Sequence, residues 1–130
     1  MKISRRQFET WVREALDELP PFFRRRLENL AVFVEEEPPP DVREDLELET
    51  GDDLYGLYQG VPHTRRGVDY GNVLPDRITL YRRPLVMNFP DRHALRRAVR
   101  DTVLHEVGHH FGLDEETLAR LERDEEEEEP

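Results

Sequence analysis

The sequence contains no cysteine, so it can form neither a disulfide nor a thiolate metal site. Lysine is nearly absent too. Lys2 stands alone and all other fixed positive charge is arginine, a usage that fits a high-GC or heat-adapted source. No apolar run approaches the length of a membrane span. The opening residues, Met1-Lys2-Ile3-Ser4-Arg5-Arg6-Gln7-Phe8, lack the apolar stretch of a signal peptide. These absences lead us to expect a soluble cytoplasmic chain with no membrane partner.

A basic balance is also missing. Nineteen Lys and Arg against 30 Asp and Glu leave a net charge of −11, whereas nucleic-acid phosphates call for a basic surface. Nucleic acid is therefore not an expected partner. Four arginine clusters exist (Arg24-Arg25-Arg26, Arg65-Arg66, Arg82-Arg83 and Arg96-Arg97), two of them in helix-like, carboxylate-rich segments that suit solvated ion-pair networks.

What is present amounts to one modest domain. The 130 residues suffice for a single core. Six of the 30 acidic residues sit in Asp124-Glu125-Glu126-Glu127-Glu128-Glu129-Pro130, which has nothing to bury. We therefore expect a folded domain over residues 1–123 and a disordered acidic tail over 124–130. There is no internal repeat.

Ser4 and Gln7 have the spacing of a capping box, and Phe8, Trp11, Val12, Ala15, Leu16 and Leu19 recur at helical spacing until Pro20-Pro21. A short helix over 22–28 should follow, then a strand at Leu30-Ala31-Val32-Phe33-Val34. Residues 41–53 are acidic and carry no clear pattern. Residues 54–60 read as a second strand and residues 61–76, with Pro62, Gly67, Gly71 and Pro75, as a long loop. Arg77-Ile78-Thr79-Leu80-Tyr81-Arg82-Arg83 alternates like a strand with one buried face, and Pro84 places it at or near a sheet edge. Asp91 caps a helix running through Leu95, Ala98, Val99, Thr102 and Val103, Gly112 can stop it, and a last helix fits residues 114–123.

That capped helix contains His105-Glu106-Val107-Gly108-His109, the pattern H-E-x-x-H. Histidines at i and i+4 share one helix face, so both imidazoles can reach one ion. Glu106 is rotated about 100° from His105, beside that ion, where it can take a proton from an activated water. The apolar neighbours Val103, Leu104 and Val107 should keep the motif partly buried. Gly108 costs about 1 kcal/mol of helix propensity relative to Ala, which suggests another backbone passing close by.

The chain continues His110-Phe111-Gly112-Leu113-Asp114-Glu115. A catalytic site needs a third protein ligand. Positive φ at Gly112 would swing the chain back toward the ion, bringing Glu115 or its neighbour Asp114 within reach. Asp114 also suits a cap for the final helix, which favours Glu115 as ligand. His110 points off the shared face and reads as a supporting or surface residue.

Three blocks resemble the minimal zincin-like proteins, a small bacterial family of zinc metallopeptidase-like chains. They are Leu54-Tyr55-Gly56-Leu57-Tyr58-Gln59-Gly60-Val61-Pro62, then Leu74-Pro75-Asp76-Arg77-Ile78-Thr79-Leu80-Tyr81-Arg82-Arg83-Pro84, then residues 102–113. The resemblance implies an α+β fold, a zincin reduced to its core with a small mixed sheet packed against the active-site helix. It also implies one zinc ion per chain. Family members carry an acidic residue, usually Asp, at the position of Glu115. Metzincins share the extended motif but need a methionine after the third ligand, and Met1 and Met87 both precede it.

The expected function is zinc-dependent hydrolysis of a peptide or protein. Glu106 would serve as general base, with His105, His109 and Glu115 on the metal. The substrate would lie along the strand at 77–83, and His110, Tyr81 or the loop at 61–76 could support the oxyanion. The rival expectation is a metal-binding protein of the same fold with little hydrolytic activity, acting as an interaction module. Retention of Glu106 favours catalysis, because a purely structural site does not need it.

Overall fold

Ser4 starts the first helix as its spacing predicts: its hydroxyl accepts a hydrogen bond from the Gln7 backbone N–H at 3.1 Å. This helix, α1 (Arg5–Asp17), buries Phe8, Trp11, Val12 and Ala15 on one face. The computed structural model describes residues 3–24, 30–48, 53–60 and 76–112, together with 116 and 120. α2 (Pro21–Arg24) is a single turn, and the remainder of the helix expected to 28 lies outside the described residues. β1 (Leu30–Glu35) runs one residue beyond its expected span. The patternless acidic stretch opens with α3 (Pro40–Asp45), where Pro40 occupies a first-turn position that needs no N–H. β2 (Gly56–Gln59) is shorter than the apolar run suggested.

β3 (Asp76–Tyr81) departs from expectation in place and in kind. The strand order is β1-β3-β2, so β3 is the centre of the three-stranded sheet, not its edge. It runs parallel to β1, from Leu30 opposite Asp76 to Glu35 opposite Tyr81, and antiparallel to β2, from Gly56 opposite Leu80 to Gln59 opposite Arg77. Ile78, Thr79, Leu80 and Tyr81 are all buried, so both faces of the strand are covered. The proline that pointed to an edge belongs to the next element: the strand stops at Tyr81, and Pro84 sits in the first turn of α4 (Arg82–Asn88). Tyr81 caps that helix without a side-chain bond, which left no start signal to read.

α5 (Arg92–His110) is the long helix anticipated, with the Asp91 carboxylate accepting from Ala94 N–H at 2.9 Å. Leu95, Val99, Val103 and Val107 form its buried stripe at i+4 intervals, against the sheet and α1. Burying each such side chain contributes about 1.5–3 kcal/mol. The ion pair of Arg96 with Glu14, at 2.6 Å, ties α5 to α1 at the surface and adds at most about 1 kcal/mol. The fold is α+β, with helices around a small mixed sheet. α5 ends at His110, and Gly112 takes a φ of 75°, the left-handed conformation its position called for. Glu116 and Arg120 are helical, while the rest of the expected last helix, the loop at 61–75 and the tail at 124–130 lie outside the described residues.

Candidate metal centre

The last turns of α5 send four polar side chains in three directions. His105 and His109 point to the same side, their ring centroids 4.7 Å apart. Glu106 points toward β2 and is 7% exposed. His110 points into the sheet and is fully buried. Residues follow one another at about 100° around a helix, and this spread is the result. One candidate ligand atom each from His105, Glu106 and His109 lies within 4.8 Å of the other two. Two imidazoles at that spacing fit a divalent ion with nitrogen and oxygen preference, zinc among them, with the Glu106 carboxylate beside it.

β2 makes the site. Gly56 lies where α5 comes closest to needing its space: a Cβ there would stand 2.7 Å from Thr102 Cγ2 and 3.1 Å from Glu106 Cγ. A glycine inside a strand can mark such an approach. Gly108, where the sequence suggested a passing backbone, is buried in α5, and the approach at Gly56 is a separate one, to side chains of that helix. Two residues on, the Tyr58 backbone N–H donates to the Glu106 carboxylate. Burial pushes the Glu106 carboxyl above its usual range, while His109, His105 and the Tyr58 N–H pull it the other way. Its oxygen sits 3.4 Å from His109 Nδ1.

Behind this cluster lies a second, buried one. The Tyr58 hydroxyl donates to Asp76 Oδ2 at 2.9 Å, and His110 Nδ1 lies 2.8 Å from the same oxygen. His110 thus supports the helix from within and is no oxyanion donor. Tyr81, 2% exposed, is likewise turned into the interior. Gly60, with a φ of 148°, sits against the Asp76 carboxylate, where any Cβ would meet Oδ1 at 2.4 Å.

The zincin-like metallopeptidase family profile matches residues 27–125, most of the chain. The chain belongs to that family. No curated protein matches it. In this zincin-like chain the histidine pair and its glutamate converge beside the antiparallel edge strand of the sheet. Asp114 and Glu115, the two candidates for a further ligand, lie outside the described residues. Sequence reasoning missed Tyr58, Asp76 and Gly56. Only Gly56 carried a signal, a glycine within a strand pattern. Among the described residues no helix is long and apolar enough to cross a membrane.

Proposed function

We propose that this chain is a zinc-dependent peptidase, with His105, His109 and Glu115 holding the metal and Glu106 acting as general base. The observation that carries the reading is the placement of Glu106: buried, held by a backbone N–H of β2, and 3.4 Å from His109 Nδ1. A site that only bound metal would gain nothing from a desolvated carboxylate fixed beside its histidines. When bound, zinc would polarise the scissile carbonyl and lower the pKa of the attacking water.

Glu106 takes the proton from that water and delivers it to the leaving amine, two transfers by one carboxylate. The Tyr58 N–H keeps the carboxylate aimed during both. The substrate backbone adds to the outer edge of β2, next to Glu106. The register with β3 supports this choice: Tyr81 N–H bonds the Tyr55 carbonyl at 2.9 Å, so the N–H and carbonyl of Gly56 and the carbonyl of Tyr58 alternate to the outer side, where the Tyr58 N–H is already engaged by Glu106. β3, paired on both sides, has no edge to offer.

The test is a peptide-library digest by zinc-loaded protein with Glu106→Gln alongside. Glu106→Gln should retain about one zinc per chain while cleavage falls by roughly 10² or more. Equal cleavage by both proteins, or undiminished zinc in a His105→Ala, His109→Ala double variant, would refute the assignment. Full zinc with no cleaved peptide would leave the non-hydrolytic binding protein as the reading to adopt.

A further inference from the structure

The recess beside the histidines does not end there. A cavity of about 350 Å³ lies against His105, Glu106 and Gly56. It shares Tyr55, Asp101 and Thr102 with a second groove of about 430 Å³, which runs on toward the start of α5 past Phe89, Ala94 and Ala98. His105, Asp101, Ala98 and Ala94 recur at intervals of four, three and four, one face of one helix. The face that carries the candidate metal site is therefore also the floor of the groove. At 1.5 Å per residue, Thr102 lies about 4.5 Å and Ala98 about 10 Å along the axis from His105.

The groove has a mainly apolar, pre-set lining, which also includes His93, Arg97 and Asp101. Its floor is kept low by the small residues Ala94 and Ala98. The Thr102 hydroxyl is turned back on the Ala98 carbonyl at 2.7 Å, which leaves the Thr102 methyl as the surface toward β2. The wall is aromatic: Tyr55 and Phe89 meet edge-on with centroids 5.7 Å apart, and Asn88 donates to the Tyr55 hydroxyl at 2.9 Å. Both rings are half-buried. A low floor between fixed rings suits a bulky apolar group entering edge-to-face, and the volume falls in the range of small-ligand sites.

We propose that this groove is a specificity subsite that takes an aromatic or large aliphatic side chain of the peptide substrate. The proposal rests on the peptidase reading and assigns it a substrate class: peptides with a bulky apolar residue close to the scissile bond. Continuity with the recess at Glu106 identifies the occupant, since a chain extended along β2 at the metal site must place its next side chains over Thr102 and Ala98.

The experiment compares two metal-binding probes on zinc-loaded protein by calorimetry. Acetohydroxamic acid reports the metal alone, and 4-phenylbutyrohydroxamic acid adds a ring on a tether of suitable reach. The phenyl probe should bind at least about tenfold more tightly. Ala94→Phe, which fills the groove, should abolish that advantage and leave acetohydroxamate affinity unchanged. Phe89→Ala, which removes a wall without adding bulk, should reduce the advantage several-fold. Acetohydroxamate binding with no gain from the phenyl group overturns the subsite and leaves the metal site standing. Full gain retained in both variants likewise overturns it. Failure of zinc-loaded protein to bind acetohydroxamate overturns the metal reading and the subsite together.

Discussion

Replacing Gly56 with alanine is the sharpest test of how β2 and α5 fit together. The added methyl carbon would stand 2.7 Å from Thr102 Cγ2, 3.1 Å from Glu106 Cγ and 3.5 Å from the Thr79 carbonyl oxygen. Carbon atoms settle about 3.5–4.0 Å apart, so something has to move by roughly 1 Å. Thr102 cannot simply rotate. It is β-branched, and its hydroxyl is bonded to the Ala98 carbonyl at 2.7 Å. Nor can β2 retreat freely, since it is paired to the central strand on its other side. The strain therefore falls on the helix and on Glu106. Overpacking of this kind costs about 1–3 kcal/mol. For a domain of this size that is a fall in melting temperature of about 4–12 °C. Calorimetry or circular dichroism on metal-free protein would read it. The cause is identified by a second substitution: Thr102→Ser removes the clashing methyl and keeps the hydroxyl bond. It should recover about half the loss in the Gly56→Ala background, although alone it is mildly destabilising. An unchanged melting temperature in Gly56→Ala, or a double variant whose loss is simply additive, would refute the close approach.

Three further outcomes follow from the buried and paired charges. Because burial raises the Glu106 carboxyl above its usual value, the folded metal-free state loses stability as pH rises from about 4.5 through that raised value. Glu106→Gln should remove this slope, so its metal-free melting temperature should overtake the parent's toward neutral pH, and a parent that gained on it instead would contradict the direction. Glu36 is held below its usual range, mainly by its hydrogen bond from Arg82. Its contribution is present above about pH 4.5 and fades in acid, so Arg82→Met should flatten the acid limb of stability, and an unaltered limb in urea titrations would exclude the pair as its source. Asp76→Ala strands the Tyr58 hydroxyl and the buried His110 ring and should cost about 3 kcal/mol in urea unfolding, whereas a loss below about 1 kcal/mol would show that the cluster is not cohesive.

How legible these features were depended on the range of the signal. α1 and α5 announced themselves through caps and spacing, both local, and Ser4 and Asp91 bond as their positions required. The histidine pair and Glu106 were legible because one helix turn brings them together without help from elsewhere. β3 was misplaced because the strand was read on to Arg83, so that Pro84, three residues past its true end, stood as its border, and the cap that would have separated them has no side-chain bond. Strand order is a matter of pairing between distant segments, and nothing in residues 76–81 states that they lie between the other two. Asp76 and His110 are 34 residues apart, so no spacing rule could join them.

The Asp76–His110 contact has a consequence for how α5 can vary. A helix buried along an apolar stripe could still roll by some degrees, since neighbouring Val and Leu side chains substitute for one another in loose packing. A single short polar bond at its last turn does not permit rolling: displaced by one residue, the imidazole would swing about 100° and leave the Asp76 carboxylate behind. The contact is therefore an index mark that sets the rotational phase of the whole element, and with it the directions of residues 105, 106 and 109. Insertions or deletions in the first half of α5 must then be absorbed at its Asp91 end, by unwinding or extending the capped turn. Length drift would show there as a shifted cap, with the C-terminal turns kept in phase.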